Sequence, residues 1–336
     1  MYVTRLNQEK TVSEFLAVKN SCQLAHLLGC NDYQLAELIA KPAYRNFKIP
    51  KKKGGHREIQ TPEPELKKIQ WELNYYLQCV YNTFKPNSSH GFILSNEDNE
   101  PLNILTNAKM HVAKQYVINI DITDFFSSIS NSQIRNLFKE APFSFDENIS
   151  TCLTLLTTFE KRLPMGAPTS PVLSNLICLA LDVELNKMTE LCGGIYSRYA
   201  DDITFSFDSK NVSLQNLENA KIALKKLGFK INEKKTRIRS TNSKQEVTGI
   251  TVNKKPNVGR RYIRNIRAIL HDSKLNGLQY ARSRYKGFKQ KYYPNPDTAF
   301  ISSLKGKIEF VGFVRGKEDG IYLKMKEQFG EIITHP

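Results

Sequence analysis

The stretch IYSRYADDITFSF, residues 195–207, sets Asp201 and Asp202 side by side between runs that alternate apolar and polar. Aspartate forms strands poorly and adjacent carboxylates repel, so the pair suits the tight turn of a β-hairpin, where both can be held exposed and close. A divalent cation relieves that repulsion. Mg2+ takes carboxylate oxygens and keeps waters and substrate phosphates at its other positions. A third carboxylate at the end of a neighbouring strand completes a two-metal site, and Asp121 in YVINIDITDFF is the natural candidate. Two ions in line can activate a hydroxyl and stabilise a leaving pyrophosphate. An Asp-Asp pair alone is also an ordinary surface turn, so the decision rests on the rest of the chain.

The elements that must position these residues are legible from pattern. In YVINIDITDFF, Ile118, Ile120 and Ile122 share one face of a strand and Asp121 points to the other. Ser130 with Gln133 reads as a capping box opening a helix that carries Ile134, Leu137 and Phe138. Ser170 followed by Pro171 starts a helix that buries Leu173, Leu176, Ile177, Ala180 and Leu181. Leu214, Leu217, Leu224 and Leu227 mark another, stopped at Gly228. Gly54-Gly55 between extended runs signals a hairpin with a basic tip, Lys51 to Lys53, and Thr61 caps the helix after it. Residues 14–40 read as two short helices. The order strand, helices, β-hairpin, helix predicts an α+β layer: an antiparallel sheet backed by helices.

The 336-residue chain is long enough for two or three subdomains, and its net charge of +16 predicts attraction to a polyanion. The charge is uneven: Thr251–Pro336 hold 18 lysines and arginines against 7 acidic residues, a surplus of 11. There RRYIRNIRAIL places Ile263, Ile266 and Leu270 on one helical face and Arg260, Arg264 and Arg267 on another, which points to nucleic acid. Six cysteines form no C-x-x-C pair, which argues against a zinc site and suits a reducing cytosol. No apolar run reaches membrane-spanning length, and the expected location is cytoplasmic.

Together these pieces resemble the reverse transcriptase family, and within it the bacterial retron reverse transcriptases. HREIQTP is similar to the fingers motif, NIDITDFFSSI to motif A, LPMGAPTSPVLSNL to motif B, RYADD to motif C and LGFKINEKKT to motif D. QEVTGITVN is similar to the strand before the thumb. NAKMH at 107–111 and VTG at 247–249 resemble two blocks particular to retrons.

The resemblance implies a right-hand polymerase fold. It assigns an N-terminal helical segment to 1–45, fingers to 46–116 and 131–162, palm to 117–130 and 163–252, and a basic, mainly helical thumb to 253–336. It implies that Asp121, Asp201 and Asp202, with the carbonyl of Ile122, bind two Mg2+ ions, and that Lys235 protonates the leaving pyrophosphate. It implies that Arg57, Phe126, Met165 and Gly166 meet the incoming nucleotide. Phe126 lies five residues after Asp121, where an aromatic ring crowds the sugar 2′ position. Met165 departs from the family, which carries glutamine there. Asn107, His111, Val247, Thr248, Gly249, Arg260, Arg264 and Arg267 are the expected RNA contacts, with local structure as the other reading of His111.

The function implied is RNA-directed DNA synthesis: copying part of a cognate structured noncoding RNA from a guanosine 2′-hydroxyl. The product is a branched RNA–DNA carrying single-stranded DNA, in antiphage defence beside a separate effector protein. Two alternatives stand beside it: a group II intron-like or other bacterial reverse transcriptase, and a noncatalytic RNA-binding protein of the same fold.

Overall fold

The computed structural model describes residues 5–51, 54–94, 101–285 and 295–334; Lys52 and Lys53 of the expected basic tip lie outside them. Three helices come first, α1 (Arg5–Leu16), α2 (Ser21–Leu27) and α3 (Asp32–Ala40). The first of these was not expected. A hairpin of β1 (Tyr44–Pro50) and β2 (His56–Pro62) follows, then α4 (Pro64–Phe84), α5 (Ile104–Met110) and β3 (Tyr116–Thr123). Next are α6 (Asn131–Lys139), α7 (Glu147–Thr157), α8 (Ser170–Ile177) and α9 (Leu179–Leu191). The chain continues with β4 (Ile195–Tyr199), β5 (Asp202–Phe207), α10 (Lys210–Lys226), β6 (Lys230–Ile231), β7 (Arg237–Ser240), β8 (Glu246–Val247) and β9 (Ile250–Thr251). It ends in α11 (Arg260–Asn276), α12 (Leu278–Arg284), α13 (Pro296–Arg315) and α14 (Gly320–Thr334). The class is α+β, as expected.

Several boundaries follow from local chemistry. Ser130 and Gln133 form the predicted capping box at α6. Thr61, expected to cap a helix, instead pairs with Arg45 inside the hairpin; Glu63 is the cap residue of α4 and Pro64 its first residue. The ladder runs to Pro62 because proline can end a strand and the next proline can open a helix. The helix expected from Ser170 through Leu181 divides at Cys178 into α8 and α9. QEVTGITVN is a separate small hairpin, β8 with β9, rather than part of the main sheet.

The main sheet is antiparallel, in the order β4-β5-β3-β6, with β7 also pairing β3. Two hydrophobic cores flank it. The larger takes Ile118, Ile120 and Ile122 of β3, Ile203, Phe205 and Phe207 of β5, and side chains of α1 to α4 and α6 to α10. The second gathers Val117 of β3, Leu105 and Ala108 of α5, the β8–β9 hairpin and the C-terminal helices. Strand β3 is therefore a wall with a core on each side, because residues alternate across a strand.

Candidate active site

One face of the sheet is polar. Register pairs Asp121 with Asp202, Asn119 with Thr204 and Val117 with Ser206, while Tyr199 faces Asp202 and Ser197 faces Thr204. Directly opposed residues share a face, so this face runs from Val117 and Ser206 at one end to Asp121 and Asp202 at the other.

Helix α5 roofs the first end. His111, fully buried, hydrogen-bonds Ser206 Oγ and Ser197 Oγ, each at 2.7 Å. Asn107 is buried as completely. Neither side chain reaches a surface in this fold, which does not favour the expected RNA contact at these two residues. The same holds for the Val247 side chain, buried in the second core. Thr248 stands at φ +48 and bonds the Ile104 carbonyl at 2.9 Å, tying the VTG hairpin to α5, and Gly249 is exposed.

Burial, then the nearby His90 and Lys114, push His111 down to about 3; burial and Lys85 push His90 down to about 4. Both are neutral in the fold, while an unfolded histidine titrates near 6.5. Below that value the unfolded chain binds protons that the folded chain does not. Stability is therefore full above about pH 6.5 and falls as pH drops toward 3. At pH 5 each histidine withdraws about 2 kcal/mol. Denaturant midpoints at pH 7 and pH 5 check this. His111→Gln is expected to be less stable at pH 7 but to lose about 2 kcal/mol less than the parent on acidification.

The other end of the face is open. Asp201 sits in the turn after Ala200, which adopts φ +58, a left-handed conformation costly for a non-glycine residue. What holds this turn was not foreseen. Arg198, fully buried, forks onto fully buried Asp182 of α9, its Nε donating at 2.7 Å and Nη2 at 2.6 Å. Tyr196 donates to the same carboxylate at 2.6 Å. Arg198 Nη1 donates to Asn175 Oδ1 at 2.9 Å and to the Ala200 carbonyl at 3.3 Å. Asn175 in turn donates to the Gly91 carbonyl at 2.9 Å. The 88–91 segment lies along β4 as a parallel bridge, with His90 N to Arg198 O and Arg198 N to Ser88 O both 2.9 Å. A Cβ on Gly91 would stand 2.7 Å from Ala200 N, so only glycine admits this approach. The sequence signal was an aspartate inside the apolar run CLALDVEL and an arginine at an inward strand position.

The three carboxylates feel one another. Burial and then Asp121 raise Asp201 above the usual carboxylate range, against the pull of Arg57 and Lys235. Burial against the turn, then Asp201 and Asp121, push Asp202 up to about 6, although part of that residue stays open to solvent. Lys235, from the segment after β6, spans both oxygens of Asp121 at 3.0 and 2.9 Å. Among the described residues no three acidic, histidine or cysteine side chains converge tightly enough to enclose an ion as they stand. Lys235 pairs with the Asp121 charge instead. The donor set itself suits a hard cation, being carboxylate oxygens brought to one end of the sheet. The Ile122 side chain is buried and its backbone pairs with Ile231.

Around the carboxylates, Arg57 is exposed on β2 and close enough to lower Asp201. The loop carrying Met165 docks on the same strand, Gln60 N donating to Met165 O at 2.8 Å. Gly166 has φ +130, and a Cβ there would meet Gln60 O and Ile59 Cγ2, both at 2.9 Å. The glycine is thus required by packing against β2. Phe126 is half-buried beside Phe125 and Phe92, at centroid distances of 5.4 and 6.1 Å. Arg260, Arg264 and Arg267 are exposed on α11, far in sequence from the carboxylates, while Ile263, Ile266 and Leu270 are buried beneath them. All six cysteines are unpaired. No described helix is long and apolar enough to cross a membrane.

Comparison with known proteins agrees with this geometry. The family described as "Reverse transcriptase (RNA-dependent DNA polymerase)" matches residues 49–252. The chain is similar to the retron Ec86 reverse transcriptase of Escherichia coli, 34% identical over 233 residues, covering 68% of this chain and 69% of that one. It is also similar to the retron Mx162 reverse transcriptase of Myxococcus xanthus, 32% identical over 266 residues, covering 69% of this chain. That match spans 53% of the relative, about half its length. Against the retron Ec83 reverse transcriptase of Escherichia coli the identity is 30%, with 80% of this chain and 89% of that one covered.

Proposed function

The chain belongs to the reverse transcriptase family, among the retron reverse transcriptases, and on that premise we propose that it is an RNA-directed DNA polymerase that copies a cognate structured noncoding RNA. The observation that carries the reading is the open end of the polar face, where register sets Asp121 against Asp202 and a strained turn adds Asp201.

Asp121, Asp201 and Asp202, with the Ile122 carbonyl, would hold the two Mg2+ ions that such polymerases use. Bound there, such ions would supply activation of the attacking hydroxyl and charge stabilisation of the leaving pyrophosphate. Arg57, on the exposed strand above them, binds the triphosphate of the incoming deoxynucleotide. Lys235, bonded to Asp121 before the substrates arrive, would donate a proton to the leaving group. Phe126 crowds the sugar at its 2′ carbon and so disfavours ribonucleotides by clash. Met165 offers no side-chain hydrogen bond at the position where the family carries glutamine, leaving nucleotide contact there to apolar packing.

In this reading residues 46–116 and 131–162 are fingers, 117–130 and 163–252 palm, and 253–336 thumb. The arginine face of α11 lies along the phosphates of the RNA or of the growing duplex. Half-buried Thr248 and exposed Gly249 remain as backbone-level RNA contacts. Exchanging Arg264 and Arg267 for glutamate is expected to weaken RNA binding and reduce the salt slope by about one per lost phosphate contact. A filter-binding titration from 50 to 200 mM salt is the check, and an unchanged slope removes this face from the interface.

Synthesis begins from a guanosine 2′-hydroxyl of the RNA and gives a branched RNA–DNA product. The protein acts in the cytoplasm in antiphage defence, with an effector on another chain. The test is to purify the protein from its native host, extract bound nucleic acid and digest it separately with RNase and DNase. A species holding RNA and short single-stranded DNA that separate fully only after debranching is expected. RNA alone, or nothing, moves the reading to an intron-like polymerase or a noncatalytic RNA-binding protein.

A further inference from the structure

Phe92 has no role in the mechanism above, yet its conformation is costly and its place is specific. It stands at φ +58, in the left-handed region that favours glycine. Its backbone is pinned there: Gln78 Nε2 donates to the Phe92 carbonyl at 2.9 Å, and Asn175 Nδ2 donates to the carbonyl of the preceding Gly91. The ring is poorly used as core, being 37% exposed. It lies between two rings of the candidate active site, 6.1 Å from Phe126 and 6.4 Å from Tyr199. Tyr199 is directly opposite Asp202 in the sheet, and Phe126 follows Asp121 by five residues. Phe126 also meets Phe125, which packs on Phe229 at 5.5 Å. Phe126 thus has two ring neighbours, the buried Phe125 and the strained, partly open Phe92.

We propose that Phe92 is a positioning residue for sugar selection: it braces the Phe126 ring so that the ring cannot turn aside when a 2′-hydroxyl presses on it. Discrimination by clash works only if the obstructing group cannot move cheaply, and a half-buried ring with a free side can rotate. The backbone strain at Phe92 keeps that side filled, which explains a phenylalanine at a position where glycine is less costly. The inference rests on the reading of Phe126 as the gate.

The test uses the full chain on a poly(rC) template with an oligo(dG) primer, comparing dGTP with GTP, which differ only at the 2′ carbon. Phe126→Ala is expected to raise kcat/KM for GTP relative to dGTP by about a hundredfold, and Phe92→Ala by about tenfold. The Phe92→Ala effect is expected in a lower KM for GTP, with kcat for dGTP little changed, and Phe92→Tyr is expected to keep the parent ratio. The double variant is expected to match Phe126→Ala alone, since a brace has nothing to act on once the gate is gone. If Phe92→Ala abolishes synthesis, Phe92→Leu is read against the same expectations. A parental ratio in the Phe92 variants beside a raised ratio in Phe126→Ala overturns the brace and leaves the gate standing. Additive effects in the double variant also overturn it, because Phe92 then acts without Phe126. A parental ratio in Phe126→Ala overturns the gate itself.

Discussion

Asp201→Asn is expected to stop primer extension, lowering it by at least about a thousandfold, while RNA binding and the fold remain. The same variant is expected to melt higher than the parent in metal-free buffer, and the sign follows from titration. Burial and Asp121 raise the Asp201 carboxyl above its ordinary value, so its ionised form is disfavoured in the fold relative to the unfolded chain. A carboxyl raised in this way contributes stability that is lost as pH rises through its folded value. Once the group is ionised the charge is a burden, which the neutral amide removes. Asp202, pushed up to about 6, is expected to behave likewise when changed to asparagine. A site kept for chemistry at the expense of stability shows this pairing of lost activity with gained melting temperature. Retained synthesis in Asp201→Asn sinks the catalytic assignment; a lower melting temperature sinks the electrostatic account and leaves the assignment alone.

The second large effect concerns Arg198. Arg198→Ala leaves Asp182 as a buried charge whose only other hydrogen-bond donor among the described residues is the Tyr196 hydroxyl, at 2.6 Å. Removing one member of a buried pair costs about 3–5 kcal/mol. Denaturant unfolding measures this directly. Arg198→Lys keeps a charge but not the fork that reaches Asp182, Asn175 and the Ala200 carbonyl together, so it recovers only part of the loss. Synthesis is expected to fall more steeply than stability in the lysine variant, because the Ala200 carbonyl loses a donor within the turn that presents Asp201. If stability and synthesis recover together, the pair serves the fold alone.

The carboxylates could be read from sequence because their chemistry and the alternation around them are both local. Asp121 shows as the polar residue between Ile120 and Ile122, and Asp201-Asp202 shows as a break in alternation. The Ser130–Gln133 box is equally local, four residues long. Thr61 misled because a threonine before a proline suits either a cap or the end of a strand, and only the ladder partner Arg45 decides. Arg198 with Asp182 was out of reach for another reason. Each residue alone breaks the apolar pattern, and their pairing depends on α9 covering the face of β4 to which Tyr196 and Arg198 point. His111 shows the same limit: a short block such as NAKMH names residues without saying whether they face solvent or the sheet. Lys235 could be placed near the pyrophosphate by resemblance, but its bond to both oxygens of Asp121 emerges only when β6 is laid beside β3.

Strand β3 has Ile118, Ile120 and Ile122 in one core and Val117 in the other. Val117 and Asp121 lie on the same face, four residues and about 13 Å apart. Through Val117, α5 and the β8–β9 hairpin, the C-terminal helices are referenced to the same backbone that carries the carboxylate. The strand therefore acts as a gauge bar. Whatever the C-terminal helices grip is set at a fixed offset from Asp121, and the tolerance of that offset is the stiffness of a hydrogen-bonded strand rather than the slack of a linker.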